Sequence, residues 1–590
     1  MQLKTCFLYI LCILSAFTAR SQYYLRGEIK DEKNQPLQNA KILLHSCNRI
    51  YFTGSTGGFG ITTNVQMDSV SISLDGYEPR SVKVNAELWQ NITLKISPSN
   101  VNSNRPRLIS VTKNLDHTCK VKWFIDNETY FQLVENEYVK ADKFPNTGFS
   151  LNVNKASYSN VRRFINMKSA VPPDAVRTEE MVNYFNLHYR EPEKGKIFRF
   201  ESQLTSCPWD MEKQLLFLNV NAKKLDLDKI PPGNFVFLID VSGSMDQPNR
   251  LPLLKAAFQM FVKNLRPVDT MSIVSYGSSV SIPLQPTGGA EKEKILKTIE
   301  ELEASGDTPG EAAIMTAYAL ARNTYKEGSS NRVILATDAD FNRGETSEKA
   351  MEELITKERQ GGIYLTCLGV GMGNFKESKL ATLAKKGNGN FAYLDNINEA
   401  EKVLIKELTQ TFYAVADDVF MNLKFNGNLV KEYRLIGFDN RRDAVADTTI
   451  DLEGGELGSG NSVLAIFEIV PASDKLFKPD IFPKDAVAEI EMHYSLCNDT
   501  ALLSLTNVCP ANYVDFKSID KDLQFATAVA MFGLKIKQSK YIKQADWLDI
   551  ERIATESYDA SNYLQNEFVG LINKAEDIYS SKKKKRNKND

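Results

Sequence analysis

Asp240, Ser242 and Ser244 occupy alternate positions near the end of the stretch Asn-Phe-Val-Phe-Leu-Ile-Asp-Val-Ser-Gly-Ser-Met, residues 234–245. The five apolar residues before Asp240, Phe235 to Ile239, read as a fully buried parallel strand. Gly243 lets the following loop turn sharply. A carboxylate and two hydroxyls thus converge at the carboxyl end of a strand, which is where open α/β sheets bind ligands. All three are hard oxygen donors, suited to Mg2+ and not to Zn2+. Two more residues hold comparable positions. Thr308 lies in the loop Gly306-Asp307-Thr308-Pro309-Gly310 that opens a helix, and Asp338 ends the strand Arg332 to Thr337. Asp340 reads as a surface or loop residue.

The elements that position these residues alternate strand and helix across residues 231–408, the pattern of a parallel sheet with crossover helices. After the opening strand comes a helix from Leu251 to Leu265, with Leu254, Phe258, Phe261 and Leu265 at helical spacing. Ser272 to Tyr276 is a short strand, and Glu291 to Ala304 and Glu311 to Tyr325 are helices. Ile363 to Leu368 is a strand. Gly369, Gly371 and Gly373 mark a turn and not a phosphate loop, because no Lys-Ser/Thr follows. Phe391 to Leu394 is an edge strand, and a helix from Glu399 to Thr411 closes the unit.

Strand patterns lie on both sides of this unit. Phe198 to Phe200 and Leu215 to Val220 precede it; Val419 to Phe425, Tyr433 to Ile436 and Val463 to Val470 follow. These strands are expected to form one β domain into which the α/β domain is inserted. The region before it, 108–230, also holds a helix around Ala156 to Asn166 and another at Arg177 to Phe185 capped by Thr178. The region after it, 409–578, turns helical from about residue 520, with Phe525, Val529, Met531, Phe532 and Leu534 carrying the apolar face. Residues 22–97 show period-two strands (Tyr24 to Ile29, Ala40 to Leu44, Val70 to Leu74) and an Asp75-Gly76 hairpin signal, which predict a small β-sandwich. Residues 98–107 have linker composition. Residues 579–590 form a basic tail, Lys582 to Arg586 at its centre, expected as solvated disorder, with contact to an anionic membrane surface as the second reading.

The chain has 590 residues, 43% hydrophobic and 25% charged, with a net charge of -2. That is the composition of a multidomain globular protein and gives no reason to expect nucleic acid as a partner. Residues 1–21 read as an export signal: Lys4, an apolar run from Cys6 to Phe17, and Ala19-Arg20-Ser21 as a cleavage site. A periplasmic, outer-envelope or extracellular location follows. No later run of about 18 apolar residues predicts a membrane span. Cys497 and Cys509 flank a short stretch and are the favoured disulfide pair; Cys367 reads as a buried hydrophobe. None of the 4 histidines lies between residues 231 and 408, and GxSxG, HExxH, P-loop and CxxC motifs are missing. Nucleophilic and zinc-dependent catalysis therefore have no candidate residues.

The spacing D-x-S-x-S, then Thr, then Asp, resembles the metal-ion-dependent adhesion site of the von Willebrand factor type A (VWA) family. The stretches Asn331 to Asp338, Leu368 to Asn374 and Gly387 to Tyr393 resemble its exported bacterial subgroup. So do the flanks Ala156 to Phe164, Tyr433 to Phe438 and Ile469 to Pro471. The resemblance implies a Rossmann-like α/β VWA domain. It also implies Mg2+, or Mn2+ or Ca2+, held directly by Ser242, Ser244 and Thr308, with Asp240 and Asp338 acting mostly through water. The chain departs from the family pattern at Asp307, where a small residue is common, and at Ala339, where many relatives have glycine. Residues 22–97 resemble carboxypeptidase-regulatory-like domains, which implies a binding or spacer module. The expected function is protein-protein interaction or adhesion, not catalysis, through a partner's Asp or Glu. The alternative is an envelope scaffold whose metal only stabilises; a metal-dependent hydrolase ranks last.

Overall fold

The computed structural model describes residues 23–74, 77–95, 128, 130, 132–226, 228–306, 310–338, 348–372, 377–439, 454–472, 486–497 and 501–586. The chain divides into two compact units, Met1–Lys120 and Val121–Asp590.

The first unit contains β1 (Tyr23–Asp31), β2 (Lys41–Leu44), β3 (Arg49–Phe52), β4 (Gly58–Thr63), β5 (Met67–Ser73), β6 (Arg80–Asn85) and β7 (Trp89–Leu94). They form two sheets, ordered β4-β1-β7 and β3-β2-β5-β6. Period-two alternation turns Leu25 and Ile29 of β1 inward, where they meet Ile42, Leu44, Val70 and Ile72 of the other sheet in one core. The expected turn Asp75-Gly76 lies outside the described residues.

The second unit begins with β8 (Val139–Lys140), β9 (Asn146–Ser150), α1 (Ala156–Asn166), α2 (Thr178–Asn183), β10 (Phe198–Ser206) and β11 (Gln214–Ala222). The α/β part follows as β12 (Gly233–Asp240), α3 (Leu251–Asn264), β13 (Thr270–Tyr276), β14 (Val280–Gly288), α4 (Lys292–Glu300) and α5 (Gly310–Asn323). It continues through β15 (Ser330–Thr337), α6 (Glu348–Gln360), β16 (Ile363–Gly369), α7 (Glu377–Lys386), β17 (Phe391–Tyr393), α8 (Ile397–Glu401) and α9 (Leu408–Phe412). Strands return as β18 (Ala414–Phe425), β19 (Val430–Ile436), β20 (Gly455–Gly458), β21 (Ser462–Pro471), β22 (Ala486–Ser495) and β23 (Leu502–Pro510). The described chain ends in α10 (Lys521–Ile536), α11 (Trp547–Ser557) and α12 (Tyr563–Arg586).

The α/β sheet runs β14-β13-β12-β15-β16-β17. It is parallel except for β14, which pairs antiparallel at one edge. β12 lies inside the sheet and is buried along its whole length. Phe235, Phe237 and Ile239 face a core with Phe258 and Phe261 of α3 and Ile295 of α4. Val236 and Leu238 face the opposite core, with Ala313 and Ala317 of α5 and Leu380 and Leu383 of α7. Helices on both faces explain why β12 is a continuous apolar run and not an alternating one.

Strands before and after the α/β part share sheets. β11 pairs with β21, Leu218 opposite Ala465, in a sheet ordered β10-β11-β21-β19-β8. β9 pairs with β18 in the other sheet, ordered β20-β18-β22-β23. Both sheets close on one core. α10 is apolar all round and buried on nearly every face, packed among α1, α2, α11 and α12.

Buried ion pairs tie the α/β part to what surrounds it. Arg332 of β15 donates to both oxygens of Glu456 on β20, at 2.9 and 2.6 Å. Arg162 of α1 reaches Asp395 at 2.9 Å and Glu399 at 2.7 Å, past the end of β17.

Several expectations change. Cys497 and Cys509 are both free. Register explains why: Ser495 pairs with Leu502 while Ala488 pairs with Cys509, so the two cysteines sit at opposite ends of the β22-β23 hairpin. At about 3.3 Å per residue they are separated by more than ~20 Å, far beyond disulfide reach. Thr178 does not cap α2; Arg177 stands at the cap without a side-chain bond. Thr178 is instead buried, with its methyl against the space above Gly533 of α10. The helix expected from Glu399 to Thr411 is interrupted by a π turn at Lys402–Lys406. Residues 579–586, expected as a disordered tail, continue α12 to Arg586, since Lys and Arg are good helix formers and no breaker intervenes. β14, α6 and α7 are additions to the sequence reading.

Candidate metal centre

Asp240 ends β12 fully buried, opposite Tyr276 at the end of β13. Its Oδ1 accepts the Ser242 backbone N–H at 2.9 Å, and its Oδ2 accepts the Thr337 hydroxyl, at the end of β15, at 2.8 Å. The carboxylate therefore braces the loop from below. Burial pushes it up to about 6, against these hydrogen bonds, which favour the charged form. Burial and then the Asp240 carboxylate push the Tyr276 hydroxyl well up as well.

The loop turns through a single 3-10 turn, Gly243–Met245, and the buried side chain of Met245 anchors it in the core below. Its other support is the segment before α5. Ser305 N–H donates to Val241 O at 2.6 Å, and Gly243 N–H donates to Gly306 O at 2.9 Å. Gly306 has φ +77, and a Cβ there would stand 2.1 Å from Ser278 Oγ. The position demands glycine on both counts. The chain thus enters Asp307-Thr308 from a point held on the Ser242–Ser244 loop. Asp307, Thr308, Ala339 and Asp340 lie outside the described residues.

Four of the five expected residues come together. Ser242 Oγ lies 3.1 Å from Ser244 Oγ, and Ser244 Oγ–H donates to Asp338 Oδ2 at 2.9 Å. Ser242 and Asp338 are buried and Ser244 is exposed, so the cluster opens to solvent on the serine side. These spacings allow a test of fit. Adjacent ligands of an octahedral Mg2+ with bonds of 2.0–2.1 Å stand about 3 Å apart, while Ca2+ needs wider spacing of about 3.3 Å or more. The donor set is all oxygen, which suits such hard cations, and its members already stand within hydrogen-bond distance of one another. Ser242, Ser244 and Asp338 could hold Mg2+ or Mn2+ with Asp240 beneath them, once Asp338 gives up hydrogen bonds that it now accepts.

Arg250 is a participant that the motif does not contain. Its Nη1 donates to Asp338 Oδ2 at 2.7 Å and to Ser244 O at 2.6 Å, and its Nη2 donates to Met372 O at 3.1 Å. One signal was available in the sequence: Arg250 stands at the N-cap of α3, where a cation opposes the helix dipole and needs an anionic partner. Elsewhere, His188, Asp520 and Asp522 also bring ligand atoms within 4.8 Å of one another. There the His188 backbone N–H donates to Asp522 Oδ2 at 2.9 Å, and its ring sits between Glu201 and Asp520, linking β10 to the start of α10.

Family models match three stretches of this chain. A model described as von Willebrand factor type A domain matches residues 235–341. One described as von Willebrand factor matches 125–217, and one described as uncharacterized protein YfbK, C-terminal, matches 410–578. The Escherichia coli (strain K12) protein YfbK is 34% identical over 472 residues, covering 76% of this chain and 81% of its own. Inter-alpha-trypsin inhibitor heavy chain H3 of Mesocricetus auratus is 26% identical over 172 residues, 27% of this chain and 19% of its own. Among solved structures, a von Willebrand factor type A protein from Catenulispora acidiphila is 14% identical with a TM-score of 0.39, covering 63% of this chain and 88% of that one.

Proposed function

Because this chain belongs to the family of von Willebrand factor type A domain proteins, we propose that it is a protein-interaction module of the cell envelope. It engages an Asp or Glu of a protein partner through Mg2+ or Mn2+ held by Asp240, Ser242, Ser244, Thr308 and Asp338. The envelope location rests on the export-signal reading of residues 1–21. Among the described residues no helix is long and apolar enough to cross a membrane.

The observation that carries the reading is the placement of three oxygens, Ser242 Oγ, Ser244 Oγ and Asp338 Oδ2, 2.9 to 3.1 Å apart along the cluster at a solvent-open sheet edge. Buried Asp240 orients the loop through the Ser242 N–H and contributes charge from beneath. Ser244, exposed, is the residue a partner meets first. A bound divalent ion supplies an electrophilic position that a partner carboxylate can fill. Hydroxyls as the nearest ligands leave that electrophilicity largely unquenched. No histidine lies in residues 231–408, so histidine-based turnover has no candidate there.

The test is calorimetric titration of the full chain with Mn2+, comparing wild type with Ser242→Ala and Asp240→Ala. Wild type should bind one ion and both variants should lose about tenfold or more in affinity. Equal affinity in all three refutes the site. Envelope proteins captured on the wild type in Mg2+ should be released by EDTA and missed by Ser242→Ala; capture indifferent to EDTA refutes the mechanism.

A further inference from the structure

We propose that Arg250 is a resident cation that competes with the divalent ion for Asp338, setting the affinity of the site and linking it to the loop after β16. The inference rests on the reading that this site holds a metal.

One carboxylate oxygen is at issue. Asp338 Oδ2 receives the Ser244 hydroxyl at 2.9 Å and Arg250 Nη1 at 2.7 Å. The pair is well shielded from water, with the Arg250 and Asp338 side chains 12% and 2% exposed. The planar fork of the guanidinium fixes where the donors point. A divalent ion at Ser242 and Ser244 needs the same oxygen, or a water bound to it, and stands beside a like charge. Both effects weaken its binding.

The surroundings are shaped for the guanidinium. Gly371 has φ +81, and a Cβ there would stand 2.6 Å from Arg250 Nε. The three acceptors of Arg250, on Asp338, Ser244 and Met372, belong to three segments that meet at this sheet edge. Val370 N–H is bonded to Thr337 O at 3.1 Å, so the loop after β16 begins against the end of β15. An ion that draws Asp338 away from Arg250 therefore loosens the hold on Met372 O. By reciprocity, a partner that fixes the Gly371–Met372 loop changes the affinity for the ion. An arginine that merely pinned the start of α3 would leave metal affinity alone.

The test uses the full chain and Mn2+ at constant ionic strength. Arg250→Gln, confirmed folded by circular dichroism, should bind Mn2+ about tenfold more tightly than wild type, and Arg250→Lys, which keeps the charge, should stay within about threefold. A folded Arg250→Gln that binds no more tightly than wild type overturns the proposal and leaves the metal reading standing. Mn2+ binding by neither protein overturns both. A second measurement needs no variant. Amide exchange of wild type at residues 370–372 should quicken when Mn2+ saturates the site, and exchange unchanged by saturating Mn2+ overturns the coupling.

Discussion

Replacing Arg162 by Met tests how the α/β part is held in its frame. The guanidinium is 2% exposed and bonds Asp395 and Glu399, themselves 6% and 2% exposed. It also reaches the Tyr184 hydroxyl at 3.2 Å and Glu567 of α12 at 2.9 Å. Methionine fills much of the volume but leaves two enclosed carboxylates with no counter-charge from α1. Breaking a buried pair in this way costs about 3–5 kcal/mol, and two dependent carboxylates place the loss at the upper end. The loss depends on pH. Burial pushes Asp395 up to about 6, while Arg162 holds it down. A carboxyl raised in the folded state contributes stability that is complete below its unfolded value of about 4 and is lost as pH rises through its folded value. Without Arg162 the folded value climbs further, and the loss moves to higher pH. Each pH unit between 5.5 and 8 over which this proton is retained contributes about 1.4 kcal/mol. The destabilisation should therefore be smaller at pH 5.5 than at pH 8, by about 1.4 kcal/mol for each unit by which the folded value climbs. Urea unfolding followed by tryptophan fluorescence at both pH values measures it, and the variant should show the helical layer of α10–α12 unfolding apart from the α/β part. A loss below about 1 kcal/mol at pH 8, or the same loss at both pH values, would show that water replaces Arg162 freely, and the reasoning fails.

Two further outcomes follow from groups near the same frame. Glu180 is buried and accepts the Ser157 N–H at 2.9 Å; burial raises it to about 8, with Arg177 lowering it and Glu377 raising it. Wild type should lose as much as a few kcal/mol between pH 4.5 and 8, where the unfolded chain gives up a proton that folded Glu180 retains, and Glu180→Gln should flatten that part of a melting temperature against pH curve. Gly306→Ala should lower stability by about 1–3 kcal/mol and weaken Mn2+ binding, because its Cβ pushes the segment leading to Thr308 off Ser278; a melt and titration matching wild type would contradict the role given to that segment.

The strand and loop of the site were legible in the sequence because their signals are local. An apolar run of strand length reported β12, and a glycine between two serines reported a turn. Helical spacing reported α3 and α10. β14 escaped notice because it is an edge strand with only Leu284 and Thr287 buried, so half its pattern is solvent-facing. Thr178 had the right chemistry for a cap, but the chain places it one residue inside α2, against α10.

By itself, the sequence determined which oxygen-bearing residues follow which strands, and that the strands are covered on both faces. Tertiary structure alone decided the partnerships. Arg250 meets Asp338 across 88 positions, Thr337 meets Asp240 across 97, and Arg162 meets Asp395 across 233. It also kept Cys497 and Cys509 apart by strand register. The physical reason is that periodicity records which face of an element is apolar, a property of neighbouring residues. Which charged groups meet depends on which strand ends the sheet order places side by side. Burial then makes each of those meetings strong enough to matter.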